Sequence, residues 1–287
     1  SIMVDKANIA ADTIKNNYDC CVAYYDEHLL EISIEQRRLL GEFEPALQND
    51  EFVMYLQPQV KRDGAAKGAE ALVRWVHPSR GILTPYAFID ILENAGLIYK
   101  LDLYIWEKAA QKLAEWKEKG YGSYHISVNI STKDFYIIDI YETFTGLINK
   151  YGIAASNLHL EITETTLMTD FEKNMNIIHK LQGVGFRVEI DDFGSGYSSL
   201  NMLKDISADV LKIDMGFLRK SENEVKGQDI LESIITLAGK IGMDVITEGV
   251  ETKKQLDMLT MMGCHEFQGY YFSKPVPVSE FEEKYLV

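Results

Sequence analysis

After residue 50 the chain repeats one pattern, a short apolar run that closes on polar residues, followed in most cases by an amphipathic helical stretch. The runs are Phe52–Val60, Gly68–Trp75, His125–Ser131, Leu158–Glu164, Arg187–Phe193, Val210–Asp214, Asp244–Val250 and Glu266–Phe272. Between them Asp102–Lys119, Phe171–Val184, Asp229–Ile241 and Lys253–Met262 carry helical periodicity, and Gly120, Gly185, Gly242 and Gly263 stand close behind them as stop signals. Strand and helix alternating over ~240 residues predict an α/β chain folded as a (β/α)8 TIM barrel. A doubly wound open sheet is the alternative, but the Gly-rich turn after its first strand is missing. One connection is irregular. Lys61–Lys67 (KRDGAAK) is far shorter than the dozen or so residues of a parallel crossover, and Asp63-Gly64 reads as a hairpin turn. The first strand is therefore expected to be antiparallel and the barrel to be a modified one.

The 287 residues, 46% of them hydrophobic, suffice for one large core. A formal net charge of -15 argues against a DNA or RNA polymer and against contact with an anionic membrane in this segment. A phosphate ligand would need a cation between itself and such a protein. Cys20, Cys21 and Cys264 form no disulfide framework, which suits a reducing, cytoplasmic compartment. No apolar run approaches the roughly 20 residues of a membrane span, and no signal peptide opens the chain. Ser1-Ile2-Met3 reads as an internal start, so a longer natural protein is expected. Residues 1–50 fall outside the barrel rhythm. Val4–Lys15 reads as a helix, Cys20–Tyr25 as a short strand, and Glu27–Asn49 as a longer helix with Glu31, Glu35, Arg37 and Arg38 on its polar side. This is too little to bury a core of its own. The expected organisation is the end of a preceding domain at 1–26, a helical connector at 27–50 and the barrel at 51–287.

Barrels of this kind carry their chemistry at the C-terminal ends of the strands. Glu70, Asn129, Glu161, Glu164, Asp191, Asp192, Lys212, Glu248 and Gln268 occupy such places on successive strands. A single strand-end carboxylate is usually solvated, but converging carboxylates repel one another in a pocket unless a cation joins them. Hard oxygen donors suit Mg²⁺ or Mn²⁺, and the absence of His and Cys from the set argues against zinc there. Asp191-Asp192 precedes a Gly-rich loop that lets Asp192 turn back, so one carboxylate could be shared by two ions ~3.5–4 Å apart. Glu189 shares the inward parity of Asp191, and an inward charge calls for a partner the sequence does not name. The six histidines, including His125 and His159, read as surface or satisfied core residues. Tyr104, Trp106 and Trp116 read as helix packing, Cys264 as core, and Glu280, Glu282 and Glu283 as a solvated helix face.

Seven segments carry a resemblance: GAEALVRW (68–75), SVNIS (127–131), EITE (161–164), DDFGSGYSSL (191–200), LKID (211–214), TEGVE (247–251) and QGYYFSKP (268–275). In this order they make residues ~41–287 similar to the EAL domain of cyclic di-GMP phosphodiesterases. The resemblance implies a modified TIM barrel with one antiparallel strand, hydrolysis of cyclic di-GMP to linear pGpG, two divalent metal ions, and a homodimer. It implies Glu70, Asn129, Glu161 and Asp191 at one metal, and Asp191, Asp192 and Glu248 at the other, with Glu248 acting directly or through water. Lys212 would orient or deprotonate the attacking water, Gln268 would steady that water, and Glu164 would hold the 191–199 loop. Gln57, Leu72 and Arg74 would contact substrate; Arg74 lies on the Glu70 face by parity and could pair with a phosphate. Glu189, Ser195 and Thr247 depart from the family's usual residues, and none of them removes a ligand. Residues 1–25 resemble the last helix and strand of a GGDEF domain through DKANIAADTIK and VAYYDE, without the GGDEF motif itself. Any membrane anchor would then belong to upstream domains. Two other readings stay open: an inactive receptor that binds cyclic di-GMP and signals through the N-terminal helix, and an enolase-like metal barrel, whose base pattern is missing.

Overall fold

The computed structural model describes residues 2–12, 22–193, 206–216 and 224–286. The chain forms two compact units, residues 1–52 with 75–95, and residues 53–74 with 96–287.

In the larger unit the strand pattern closes on itself. The barrel strands are β1 (Phe52–Lys61), β2 (Ala66–His77), β4 (His125–Ile130), β5 (Leu158–Thr163), β6 (Val188–Asp191), β7 (Val210–Asp214), β8 (Asp244–Glu248) and β9 (Glu266–Phe267). Neighbours from β2 through β9 pair in parallel in the order β2-β4-β5-β6-β7-β8-β9. The ring is completed by β1, which pairs with β2 and antiparallel with β9 (Val60↔Phe267). Thus β1 runs against the other seven. Its link to β2 is the expected hairpin, closed by Lys61 N donating to Ala65 O at 3.0 Å and Gly64 N to Lys61 O at 2.9 Å. The fold is a closed eight-stranded α/β barrel of the modified TIM type. A short strand, β10 (Val276–Pro277), adds to β1 from outside the ring.

Strand parity decides what each face holds, because successive side chains point to opposite faces. Ile126, Val128, Leu158, Leu160, Ile162, Val188, Ile190, Leu211 and Ile213 are all buried, and they alternate with the polar residues of the same strands. Burying each such side chain contributes about 1.5–3 kcal/mol. The helices bring matching apolar stripes: from helix Ile98–Glu118 come Leu101, Ile105, Trp106, Ala109, Leu113 and Trp116, all buried. Trp106 packs on Phe144 with ring centroids 4.5 Å apart. Trp106 and Trp116 are packing residues, as the sequence suggests.

Helix and strand ends move by a few residues. The helix expected at Asp102–Lys119 begins at Ile98, and that expected at Asp229–Ile241 already includes Glu224, the first described residue there. The expected strand Glu266–Phe272 is paired only over Glu266–Phe267; Phe272 N and Ser273 N both donate to Gly269 O, which turns the chain. The C-terminal helix Val278–Tyr285 does not simply present acids to solvent. Its Glu282 accepts from Trp116 Nε1 at 2.9 Å and lies 3.3 Å from Lys112 Nζ, and those partners hold its carboxyl below the ordinary range against the effect of burial.

The smaller unit contains helix Ile2–Asp12, helix Glu27–Gln48 and the end of β2 paired with β3 (Gly81–Leu83). Asp26 caps the second helix by accepting from Leu29 N at 2.8 Å. Phe43, Phe52, Trp75 and Phe88 form its aromatic core, with Trp75 Nε1 donating to Glu51 at 2.9 Å. Residues 22–26 carry no regular structure where a short strand was expected over Cys20–Tyr25; no described strand pairs with them, and positions 20 and 21 lie outside the described residues. No described helix is long and apolar enough to cross a membrane.

Candidate active site

The inward parity of the barrel strands carries Glu70 (β2), Glu161 (β5), Asp191 (β6), Lys212 (β7) and Glu248 (β8) to one place. Lys212 is its centre. Its Nζ lies 2.7 Å from Glu161 Oε2, 2.8 Å from Glu248 Oε1, 3.3 Å from Glu70 Oε2 and 3.6 Å from Asp191 Oδ1. Lys212 and Glu161 are fully buried, and the other three carboxylates are nearly so. Asn129 Nδ2 donates to Glu70 Oε1 at 3.2 Å, and Gln268 Nε2 donates to Glu70 Oε2. Gln268 sits just past β9, where Val250 N donates to Gln268 O at 3.2 Å. Only a residue without a side chain can follow it, because a Cβ on Gly269 would lie 2.3 Å from the Val250 backbone.

Four carboxylates around one ammonium leave the cluster short of positive charge. Burial, reinforced by Glu70 and only partly offset by Lys212, pushes the Glu161 carboxyl well above its ordinary range. Burial likewise pushes Glu248 to about 8 against the pull of Lys212, with Asp191 and Glu70 adding to the rise. For Lys212 burial favours the neutral amine, but Asp191, Glu161, Glu248 and Glu70 overcome it and hold the ammonium. Glu161 Oε1 is buried with no hydrogen-bond partner. An all-oxygen donor set, carboxylates that would otherwise take up protons, and an unpartnered buried oxygen together fit a divalent cation of the magnesium or manganese type.

The raised carboxyls have a measurable consequence. A group whose folded pKa exceeds its unfolded one binds more protons when folded, so its stabilising effect fades as pH rises through that interval. Glu248 spans 4.5 to about 8, and Glu161 shifts the same way. His125, held well below 6.5 by burial and by His159, works in the opposite direction only below that value. Metal-free protein is therefore expected to lose stability between pH 6.5 and pH 8, by on the order of 1–2 kcal/mol. Thermal melts with and without Mn²⁺ check this; the ion should flatten the dependence.

The other expected residues are more spread out. Gln57 accepts from Gln268 Nε2 at 3.3 Å and donates to Ser273 O at 3.4 Å. Arg74 is half-buried, lies over the Tyr55 ring at 5.4 Å and donates to Val73 O, rather than to a carboxylate of the cluster. Leu72 is half-buried on the same strand. Asp192 takes φ 55, and its backbone N donates to Asp191 Oδ1 at 2.8 Å. Partial burial, Asp191 and Asp214 push the Asp192 carboxyl up. Glu164 is buried at the start of helix Glu164–Thr169. Most of the loop it is expected to hold, residues 191–199 with Ser195, lies outside the described residues, which include only its first three positions. Glu189 lies one layer deeper and finds the partner that the sequence leaves unnamed: His159 Nδ1, at 2.6 Å from its Oε1. Those two residues and His125 form a His–His–Glu group able to hold a metal ion, which the strand-end argument passed over.

Residues 41–275 match the EAL domain family. The chain is 32% identical over 272 residues to the bifunctional diguanylate cyclase/cyclic di-GMP phosphodiesterase MucR of Pseudomonas aeruginosa, covering 94% of this chain and 39% of MucR. It is 33% identical over 240 residues to the cyclic di-GMP phosphodiesterase PdeR of Escherichia coli, covering 84% of this chain and 36% of PdeR. The chain thus spans well under half the length of these curated relatives. A solved structure of PaMucR phosphodiesterase in complex with c-di-GMP superposes with a TM-score of 0.80 at 33% identity, covering 85% of this chain and 99% of that one. A structure of the EAL enzyme Bd1971 bound to cAMP and cyclic-di-GMP gives 0.81 at 28% identity, covering 98% and 74%. By its matched segment, its relatives and its barrel, the chain belongs to the EAL domain family.

Proposed function

We propose that this chain hydrolyses cyclic di-GMP to linear pGpG, supported by two divalent metal ions, Mg²⁺ or Mn²⁺. The observation that carries the proposal is the convergence of Glu70, Glu161, Asp191 and Glu248 on Lys212 at the ends of successive barrel strands. Glu70, Asn129, Glu161 and Asp191 would hold one ion, and Asp191, Asp192 and Glu248 the other. When bound, such ions neutralise the phosphodiester and acidify water at its phosphorus.

The protein's own groups have separable tasks. Without the ions Lys212 keeps its proton among the acids; beside them it is assigned to orient or deprotonate the attacking water. Gln268 is held by Glu70 and Gln57, and its Oε1 is buried without a partner, so it can accept a hydrogen from the attacking water and orient the lone pair. In-line attack forms the new P–O bond as the bond to the bridging ribose oxygen breaks. Gln57, Leu72 and Arg74 are assigned to substrate. Glu164 is assigned to the 191–199 loop. The chain is read as the cytoplasmic barrel of a longer protein, residues 51–287, preceded by a connector at 27–50 and the end of a GGDEF domain at 1–26, and as a homodimer.

Chromatography after incubation with cyclic di-GMP and Mg²⁺ or Mn²⁺ tests the proposal. Wild-type protein should yield pGpG, and chelator should stop it. Tight binding of cyclic di-GMP without any pGpG would replace the enzyme with a receptor.

A further inference from the structure

The opposite end of the barrel interior is also polar. Counting back two residues from the strand-end acids, parity places His125 below Ser127 on β4, His159 below Glu161 on β5, and Glu189 below Asp191 on β6. All three are buried, Glu189 completely. The two imidazoles stack with centroids 3.8 Å apart and planes 3° apart. They fit because β2 carries Gly68: a Cβ there would lie 2.4 Å from the His125 ring. His125 Nε2 lies 2.7 Å from Gln59 Oε1, and His159 Nδ1 lies 2.6 Å from Glu189 Oε1. Ser127 Oγ lies 3.4 Å from Gln59 Oε1 and 3.2 Å from Glu189 Oε1 and donates its one hydrogen between them.

From this geometry we infer that His125, His159 and Glu189 form a second, separate metal site, at the floor of the barrel, for a zinc-class ion. Each residue offers one ligand atom, and these atoms lie within 4.8 Å of one another. Two imidazoles and a carboxylate are a zinc donor set that leaves a fourth position open for water. A cavity of about 490 Å³ lined in part by His125, His159 and Glu189 gives an ion access to the group. It also has a spare donor, since Glu189 Oε2 is buried without a hydrogen-bond partner. The cations that line the cavity are engaged elsewhere, Lys67 with Glu266 and Arg187 with Asp244. A bound ion takes the place of the direct contact between His159 Nδ1 and Glu189 Oε1, and one ring turns out of the stack, because two separate parallel planes cannot both contain the same ion. Gln59 and Ser127 remain as outer partners that set the orientation of the ligands, as metal-bound histidines require.

The donor chemistry makes the floor distinguishable from the upper cluster, whose expected ligands Glu70, Asn129, Glu161, Asp191, Asp192 and Glu248 include no nitrogen of an imidazole. The experiment loads the protein with Zn²⁺ in excess Mg²⁺ and reads X-ray absorption at the zinc edge. The expected spectrum has imidazole multiple scattering with Zn–N at about 2.0 Å. An oxygen-only shell would overturn the site. Co²⁺ provides a second reading: wild-type protein and Glu70→Ala should show the same visible bands of a four-coordinate ion, while His159→Gln and Glu189→Gln should lose them. Bands that survive in both floor variants would place the ion elsewhere and overturn the proposal. The wild-type spectrum decides the matter even if a floor variant fails to fold.

Discussion

Glu70→Ala is expected to abolish cyclic di-GMP turnover while leaving the barrel folded. Glu70 is the point where three side chains meet: Asn129 and Gln268 donate to it, and Lys212 lies 3.3 Å away. Removing its carboxylate deletes one proposed metal ligand and frees Gln268 from its anchor. Loss of several kcal/mol of charge stabilisation in the transition state corresponds to about a thousandfold or more in kcat/KM. The fold should tolerate the change because the cluster holds more acid than base. Glu70 is among the groups that push Glu161 and Glu248 upward, so its deletion relieves repulsion. Melting of the metal-free variant should match or exceed that of wild type. Glu70→Gln sharpens the test: it keeps the size and the contact with Lys212's neighbours but removes the charge. If the charge is what matters, both variants lose turnover and both bind Mn²⁺ more weakly by calorimetry. Wild-type turnover in Glu70→Ala would remove Glu70 from the metal site.

How far the sequence reaches is set by which physical signals are local. Strand parity is local, so Glu70, Glu161, Asp191, Lys212 and Glu248 could be placed on inward faces at strand ends, and the structure brings the four acids within 3.6 Å of the lysine. The antiparallel first strand is also local, because KRDGAAK is too short for anything but a hairpin. Register between strands is not local. Parity alone puts Glu189 inside, but only the pairing Glu161↔Glu189 together with Ser127↔His159 brings it to His159. The same gap hid the floor site. His125 and His159 each head a run of inward polar residues near the start of neighbouring parallel strands, a signal visible in the sequence once strand starts as well as strand ends are read for chemistry. Gln268 shows a different limit. Its motif is evident, but the Gly269 approach to Val250 that fixes its place is a contact between distant segments.

Lys212→Met should have the largest effect on stability, and the sign of its dependence on metal tests the electrostatic account of the site. Met approximates the length of the Lys stem and removes the ammonium. In metal-free protein that leaves Glu161 and Glu248 buried without the cation 2.7 and 2.8 Å away. Removing one partner of a buried charge pair costs about 3–5 kcal/mol. The acids can escape part of this cost by keeping protons, so the deficit should be smallest near pH 5 and grow towards pH 8 as protonation becomes harder. Mn²⁺ should restore the missing positive charge. Melting temperature should therefore rise more on adding Mn²⁺ to Lys212→Met than on adding it to wild type, whose ammonium already serves that role. Turnover should nevertheless stay lost, because a metal ion held by the acids does not replace a donor aimed at water and phosphate. The double variant Glu161→Gln/Lys212→Met separates charge balance from packing: removing one carboxylate together with the ammonium should recover part of the metal-free stability, a coupling expected for residues in direct contact. A single variant that melts like wild type without metal, at pH 8, would mean that the four acids were never held by Lys212, and the assignment of Lys212 as the fixed cation of the site would fall with it.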